Sequence, residues 1–252
     1  MYIDTHCHLS KEDYDDIDLI INDNILAGVE KVIISGCTRD SILESIELSK
    51  KYDCVYVTLG YHPSEVNEIN DNSLLELEDI IKNNSKVVGV GEIGLDYYYG
   101  KDDIDKQKKL FRDQLQLAEK LNLPVVIHSR DAVLDTINIL KEYPTLRGVI
   151  HCFGGSLETA NIYIKMGYLL GIGGVVTFKN SKLGEVIKNV DLSNIVLETD
   201  SPYLTPEPFR GKKNSSKYIP LVAEKISNIK NVDVFLVEEI TTNNANKIFD
   251  LK

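Results

Sequence analysis

The stretch MYIDTHCHLS (residues 1–10) opens the chain with a short apolar run that leads into two histidines, His6 and His8. If this stretch is a strand, residues two apart project from the same face, so both imidazoles leave that face together near the strand's end. Such a pair is a natural start for a metal site. A lone His-x-His pair is equally compatible with two surface histidines, so its interpretation depends on the rest of the chain.

Short runs of apolar and β-branched residues alternate along the chain with segments of helical periodicity. The predicted strands are 2–8, 31–36, 55–63, 86–94, 123–130, 147–153, 167–174 and 194–202, and the predicted helices are 40–52, 74–84, 105–121, 132–143, 157–166 and 183–190. Two closing helices are expected within 214–252, the last beginning at Val234. Nearly continuous apolar strands alternating with helices predict a parallel sheet of the α/β class. Eight such units favour a single (β/α)8 barrel, a TIM barrel, over an open doubly wound sheet.

The composition limits the classes to which the protein can belong. A chain of 252 residues with 43% hydrophobic residues suits one large domain, spanning 1–252, with a sizeable core. The net charge of -11 argues against a protein that binds nucleic acid tightly and in a salt-sensitive way over a basic surface. A nuclease that binds phosphate through bound cations stays possible. The four cysteines show no CxxC spacing and are expected to be free thiols. Met1 leads straight into predicted core and no apolar run is long enough for a membrane, so we expect a cytoplasmic protein without a membrane partner.

Histidines and acids collect where the predicted strands end. All five histidines lie at the C-terminal ends of strands: His6, His8, His62, His128 and His151. Two acids share this placement, Glu92 on strand 4 and Asp200 after strand 8. In a barrel these ends converge on one rim, where active sites are built. Imidazoles and carboxylates together suit one or two divalent cations; the alternatives are an exposed loop acid for Glu92 and a helix cap for Asp200.

Basic and aromatic residues near the strand ends are candidates for contact with a substrate. Arg130, two residues beyond His128, is suited to clamp a phosphate in bidentate fashion, or else to pair with a neighbouring surface acid. The run 209–214, which includes Arg210, is the one local basic run near the rim, with a solvated loop as the alternative. The three tyrosines at 97–99 offer a stacking platform for bases, or merely an aromatic cover of the barrel mouth.

Three further residues are candidates to support the metal site. His62, in GYHP, is a candidate fifth imidazole ligand, proton donor or phosphate contact, and the proline after it makes a rigid loop start. Asp4 and Asp96 are candidates to accept the second ring N–H of metal-ligating histidines.

Seven motifs taken together resemble a known family. They are DTHCHL (4–9), GYHP (60–63), GEIGLDYYY (91–99), PVVIHSRDA (124–132), HCFGG (151–155), LETDSPYLTP (197–206) and RGKKNSSKYIPLVAEKI (210–226). In this order and spacing, the chain resembles the TatD family of metal-dependent hydrolases essentially from end to end. The resemblance implies a (β/α)8 barrel of the amidohydrolase type and two divalent metal cations. It also implies deoxyribonuclease activity, in many members as a 3′→5′ exonuclease on single-stranded or damaged DNA.

The resemblance extends to individual residues, and every ligand position of the family is filled. His6, His8 and Asp200 match the ligands of one metal, His128 and His151 those of the other, and Glu92 the bridging carboxylate. His62 and Arg130 match positions that face substrate phosphate, and Arg210 stands in the family's basic loop as a further substrate contact. Phosphotriesterase-like and dihydroorotase-like relatives bridge their metals with a carboxylated lysine, so Glu92 on strand 4 favours the TatD branch.

With this resemblance, the residues predict a metal-dependent deoxyribonuclease in which a hydroxide bridging two cations attacks the phosphodiester. Asp200 would accept the proton, and Glu92 would be essential as the shared ligand. Mg or Mn is the expected metal, and Zn, Co or Ni would fit the same donors. DNA is expected as substrate, the chain as a monomer without a stable protein partner. The alternatives are a small-molecule amidohydrolase, phosphoesterase or lactonase with the same dinuclear site, and an inert protein that binds nucleic acid or a partner.

Overall fold

The structure, a computed structural model, describes residues 1–98, 100 and 102–251, so Tyr99 of the predicted aromatic platform lies outside the described residues. Its strands are β1 (Tyr2–Cys7), β2 (Val29–Gly36), β3 (Val55–Leu59), β4 (Val87–Asp96), β5 (Val125–Arg130), β6 (Gly148–Ile150), β7 (Tyr168–Ile172) and β8 (Ile195–Leu197). Its helices are α1 (Ile17–Leu26), α2 (Arg39–Lys51), α3 (Asp71–Lys82), α4 (Ile104–Leu121), α5 (Val133–Leu140), α6 (Leu157–Lys165), α7 (Leu183–Asn189), α8 (Ile219–Lys230) and α9 (Val234–Phe249).

The strands follow one another in the sheet in chain order, from β1 to β8. The pairings of β1 with β2, of β3 with β4, of β4 with β5, of β5 with β6 and of β7 with β8 are all parallel. A helix follows each of the first seven strands, and two follow β8. This is the predicted (β/α)8 barrel fold, which is thereby confirmed.

The chain divides into two compact units, one made of Met1–Ile34 and His151–Lys252, the other of Ser35–Ile150. In the first unit, hydrogen bonds join β1 to β8 and the segment after it. The Thr5 hydroxyl donates to the Leu197 carbonyl (2.9 Å), and the Asp200 amide donates to the His6 carbonyl (3.0 Å). The first strand of the chain is therefore fixed against the last. The prediction of one domain over 1–252 stays a prediction.

In the second unit, the lengths of neighbouring strands differ. β4 has ten residues and β3 has five. The pairs between β3 and β4 end at Leu59 and Val90, whereas the pairs between β4 and β5 continue to Asp96 and Arg130. The second half of β4 therefore extends beyond β3 on that side.

Helix α1 is an element that the sequence pattern does not predict. Asp16 caps its N-terminus by accepting a hydrogen bond from the Leu19 amide (2.9 Å). Its buried face consists of Ile17, Ile21 and Asn24. One of these three is polar, while Leu26 at the helix end is 86% exposed, so the hydrophobic periodicity is blurred.

Two expectations about protein class were also tested. All four cysteines are free, as predicted. Among the described residues, no helix is both long and apolar enough to cross a membrane.

Candidate metal centre

A cluster of three imidazoles and a carboxylate lies in the first unit. Its residues are His6 in β1, His8 just after it, His151 directly after β6, and Asp200 after β8. The rings of His6 and His151 are stacked with centroids 4.1 Å apart, and the rings of His6 and His8 meet edge to face at 5.0 Å. The ligand atoms of His6, His151 and Asp200 all lie within 4.8 Å of one another. We call these four residues the first cluster.

The spacing of the donor atoms in the first cluster fits a shared cation. Nε2 of His6 and Nε2 of His8 lie 3.8 Å and 3.6 Å from the same oxygen of Asp200, Oδ1. These distances are too long for hydrogen bonds. Two ligands that each bind one cation at about 2.1 Å can be up to about 4.2 Å apart, so both separations suit a common ion.

The electrostatics keep Asp200 charged. Burial acts to raise the pKa of Asp200, but the imidazole of His8 and those of His151 and His6 outweigh it and hold the pKa below its ordinary value. Asp200 also has a left-handed backbone (φ 55°), a conformation that aspartate tolerates better than most residues. The loop after β8 thus presents an ionised carboxylate to the histidines.

Asp4 supports the first cluster through the backbone. Its carboxylate accepts hydrogen bonds from the His6 amide (3.2 Å), the Thr199 amide (3.0 Å) and the Thr199 hydroxyl (2.6 Å). Burial raises the pKa of Asp4 to about 7, although the hydrogen bonds from Thr199 act to lower it. The predicted bond to an imidazole N–H is replaced by bonds that tie β1 to the segment bearing Asp200.

Glu198 is a second buried carboxylate near His151. It is fully buried, and its Oε1 accepts a hydrogen bond from the Cys152 amide (2.6 Å) and lies 3.6 Å from His151 Nδ1. Its Oε2 is buried without a hydrogen-bond partner among the described residues. Glu198 is a site residue that was not predicted from the sequence, although it stands two residues before Asp200 in the motif LETD.

The second unit holds a second cluster, which comprises His62, Glu92, Asp96 and His128. The ligand atoms of His62, Asp96 and His128 lie within 4.8 Å of one another. Glu92 is 4% exposed and lies within β4, where the register with β5 shifts between Val90 and Ile93. Such irregularities re-aim side chains.

His128 has a carboxylate at each ring nitrogen. Nδ1 lies 2.6 Å from Glu92 Oε1, and Nε2 lies 3.1 Å from Asp96 Oδ2. Asp96 is therefore placed for the role predicted for it, as acceptor of a histidine's ring N–H. Burial acts to raise the pKa of Asp96, but the hydrogen bonds with His128 and Tyr98 outweigh it and lower the pKa. A proton held on Nε2 leaves Nδ1, on the side of Glu92, as the atom available to a metal.

His62 is oriented by its own loop. Its Nδ1 accepts a hydrogen bond from the Ser64 amide (3.1 Å) and lies 2.8 Å from the Ser64 hydroxyl. Because Nδ1 is an acceptor, the neutral ring carries its proton on Nε2, which lies 3.9 Å from Glu92 Oε1. This arrangement suits a hydrogen-bond donor better than a fifth metal ligand.

The two candidate arginines each pack on an aromatic ring. The guanidinium of Arg130, at the end of β5, lies 3.6 Å from the centre of the Tyr98 ring. The guanidinium of Arg210 lies 3.9 Å from the centre of the Phe178 ring and donates a hydrogen bond to the Thr205 carbonyl (2.9 Å). Both side chains are exposed, so they remain candidates for contact with an anion.

Buried amides are the supporting residues that the sequence analysis missed. Asn214, in the predicted basic loop, is fully buried and donates to the carbonyls of Thr199 (2.9 Å) and Tyr203 (2.6 Å), on either side of Asp200. Gln107 and Gln114 of α4 bond to backbone in the second unit. Their spacing of seven residues on a predicted amphipathic helix is the signal that could have placed both on the buried face.

Clusters of imidazoles and carboxylates at the strands of a (β/α)8 fold and directly after them are typical of metal-dependent hydrolases. The family described as TatD related DNase matches residues 3–250. The uncharacterized metal-dependent hydrolase YabD of Bacillus subtilis is 40% identical over 253 residues, which cover 99% of both chains.

Solved structures agree with this match. The structure of YjjV, a TatD homologue from Escherichia coli, has a TM-score of 0.92 at 31% identity and covers 100% of this chain and 98% of its own. A TatD family hydrolase from Entamoeba histolytica has a TM-score of 0.89 at 26% identity, with 98% and 97% covered. The chain therefore belongs to the TatD family of metal-dependent hydrolases, and the resemblance seen in the sequence motifs is confirmed.

Proposed function

We propose that this hydrolase is a deoxyribonuclease that cleaves DNA phosphodiester bonds, acting as a 3′→5′ exonuclease on single-stranded or damaged strands. The observation that carries the proposal is the gathering of imidazoles and carboxylates within and directly after the strands in each unit, on a chain whose family is described as TatD related DNase. We further propose that residues 1–252 act as a single catalytic domain, as a monomer in the cytoplasm.

We propose that residues drawn from the two clusters hold two divalent cations, Mg or Mn in preference to Zn, Co or Ni, with His151 of the first cluster serving the same cation as His128. The ligands would be His6, His8 and Asp200 for one cation, His128 and His151 for the other, and Glu92 for both. The carboxylates Glu92 and Asp200 are donors that suit Mg and Mn, and the imidazoles are donors that Zn, Co and Ni would also accept. When bound, the cations would supply Lewis-acid charge to the phosphate and lower the pKa of a water towards neutrality.

Side chains of the protein would carry out the remaining steps of the reaction. Asp200, with its lowered pKa, is ionised at neutral pH and would accept the proton of the attacking water. His62, with its proton on Nε2, would donate to a phosphate oxygen as negative charge develops. Arg130 would hold the phosphate through its planar fork, and Arg210 would contact the strand farther from the reacting bond.

The test is cleavage of labelled single-stranded DNA by metal-stripped protein after Mg or Mn is added back. Substrates labelled at the 3′ or the 5′ end are compared, and the Glu92→Ala variant is run in parallel. We expect a ladder that shrinks from the 3′ end, appears only with metal and is absent in the variant. Full turnover by Glu92→Ala after metal repletion would contradict the assignment of Glu92 as the shared ligand.

A small-molecule ester or amide is the second candidate substrate. It is favoured by one observation, that Arg210 in the basic loop is engaged by Phe178 and Thr205 within its own unit. No cleavage of DNA with any metal, combined with hydrolysis of a small phosphoester or lactone, would replace the deoxyribonuclease proposal with this one.

A further inference from the structure

The unequal lengths of β3 and β4 leave a gap in the hydrogen-bonding ladder of the second unit. The last pair between these strands is Leu59 with Val90, so the chain beyond each of these residues lacks the other strand as its partner. The gap matters because His62 follows β3 within three residues and Asp96 is the last residue of β4. Backbone groups there are buried and need other hydrogen-bond partners.

Gln107 fills the gap on the side of β4. Its Oε1 accepts a hydrogen bond from the Asp96 amide (2.9 Å), and its Nε2 donates to the Asp96 carbonyl (2.9 Å). One side-chain amide thus bonds to both backbone groups of the residue whose carboxylate holds His128. Asp96 also pairs with Arg130 in the register between β4 and β5, so its backbone is held from two sides.

Gln114 does the same on the side of β3. Its Oε1 accepts a hydrogen bond from the Tyr61 amide (2.7 Å), and its Nε2 donates to the Tyr61 carbonyl (3.0 Å). Tyr61 directly precedes His62, whose own amide donates to the Cys37 carbonyl (3.0 Å). Gln114 is fully buried. Its two hydrogen bonds to the Tyr61 backbone therefore fix the peptide that leads into His62.

Both glutamines come from one rigid element. They are seven residues apart in α4, two turns of helix, so their side chains leave the same face. Leu110, Phe111, Leu115, Leu117 and Ala118 of α4 are buried beside them. A helix that is held by this apolar packing can therefore set the positions of Tyr61 and Asp96 together.

We propose that Gln107 and Gln114 are positioning residues of the hydrolase, which use α4 to hold His62 and the pair of Asp96 with His128 in their working positions. The inference rests on the proposed function for His62 and on the proposed metal ligation by His128. The primary amide of glutamine offers a donor and an acceptor side by side in one plane, as a neighbouring peptide does. An apolar side chain at either position would take this partner away from both backbone groups of Tyr61 or Asp96.

The experiment separates positioning from simple stability. Gln114→Met and Gln107→Met keep the side-chain volume but remove the bonds, and Gln114→Glu and Gln107→Glu keep the acceptor should the methionine variants fail to fold. The matched control is Leu117→Ala, which removes buried apolar packing from the same helix and leaves both glutamines in place. Thermal unfolding gives the folded fraction, and all rates are compared at equal folded protein.

For Gln114, the readout is kcat on single-stranded DNA in the wild-type and the His62→Ala backgrounds. We expect Gln114→Met to lower kcat about 10–100-fold, because a small misplacement of a group at the reacting centre has an effect of that order. In the His62→Ala background we expect no further loss, because the residue that Gln114 positions is gone. Leu117→Ala should leave kcat unchanged in both backgrounds.

For Gln107, the readout is titration with Mn²⁺ by calorimetry, which does not depend on DNA cleavage. We expect Gln107→Met to weaken Mn²⁺ binding about tenfold, because loss of support behind a metal-ligating histidine has an effect of 10–100-fold. Gln114→Met and Leu117→Ala should bind Mn²⁺ as the wild type does.

Two results would overturn the proposal. One is multiplicative loss of kcat from Gln114→Met and His62→Ala, which would make Gln114 merely structural. The other is wild-type Mn²⁺ affinity in folded Gln107→Met. If the wild-type protein cleaves no DNA, the proposed nuclease function fails, and the Mn²⁺ titration still decides the role of Gln107.

Discussion

Replacing Asn214 by alanine removes three hydrogen bonds from the loop that carries Asp200. The Asn214 amide group donates to the carbonyls of Thr199 and Tyr203, and its oxygen accepts from the Ser215 amide (2.9 Å). Asn214, Thr199 and Ser215 are buried, so the groups left behind on Thr199 and Ser215 have poor access to water, whereas Tyr203 is 60% exposed. The variant therefore tests whether this one side chain fixes the loop between β8 and α8.

The expected loss follows from these three bonds. A buried group left without its partner costs about 1–3 kcal/mol, so the two buried groups on Thr199 and Ser215, with a smaller loss at Tyr203, give a loss of about 3 kcal/mol. A domain of this size has a free energy of unfolding of about 5–15 kcal/mol, so the variant should still fold. At about 2–4 °C per kcal/mol, Tm should fall by about 6–12 °C.

Urea and thermal unfolding measure this loss directly. The control is Asn189→Ala, because Asn189 is exposed and makes one hydrogen bond within its own helix, to the Glu185 carbonyl (2.7 Å). That control should change stability by less than about 0.5 kcal/mol. A Tm for Asn214→Ala within 2 °C of the control, a threshold of about 1 kcal/mol, would refute the reasoning. Weaker Mn²⁺ binding should accompany the loss of stability, because Asp200 belongs to the affected loop.

Three further substitutions test separate parts of the structure. Gly171→Ala should lower Tm by several degrees, since its Cβ would lie 2.1 Å from Glu198 Oε2. Gly184→Ala in α7, with 3.7 Å of room, should keep or slightly raise Tm, because alanine favours a helix more than glycine does. Equal Tm values for the two variants would contradict the placement of Glu198. Glu92→Ala should keep its circular dichroism spectrum and lose metal-dependent hydrolysis, and an unfolded variant would show that Glu92 is needed for the fold instead. Arg130→Lys loses the planar guanidinium that stacks on Tyr98. We expect kcat/KM on DNA to fall about tenfold, which is the effect of losing one charged hydrogen bond. An unchanged kcat/KM would show that Arg130 does not contact the phosphate.

The fold could be predicted because its signal is repeated along the whole chain. Strands that are buried on both faces, such as Val125–Arg130 with its VVI core, are nearly continuous in apolar residues and stand out between amphipathic helices. Helix α1 lacked this signal because it buries Asn24 and exposes Leu19 and Leu26. Some strands end earlier than the sequence pattern predicts. The strand predicted over 147–153 ends at Ile150, because the residue types near the rim are set by the loops and do not mark the end of the strand.

The candidate ligands could be predicted because their chemistry is rare in the chain. The sequence has only five histidines and places every one at a predicted strand end, and the structure brings four of the predicted ligands together in the first cluster and two in the second. The residues that support the ligands through hydrogen bonds were harder to predict. Asn214 falls in the run 209–214, for which a solvated loop was the alternative. Gln107 and Gln114 carry no charge and belong to no motif, so only their spacing on a predicted amphipathic helix points to the buried face.

These three amides support segments in which site residues lie outside the strands. Asp200 and His62 lie beyond the ends of β8 and β3, where regular strand pairing has stopped. Continued pairing would hold these segments firmly, but it would also impose a strand's alternation on the side chains of Asp200 and His62. A side-chain amide can replace a peptide neighbour for one or two residues without imposing that alternation. The loops can therefore turn sharply, as at Asp200 with its left-handed backbone, and still have their buried backbone groups bonded. On this argument, the precision of both clusters depends on buried amides as much as on the strands that precede them.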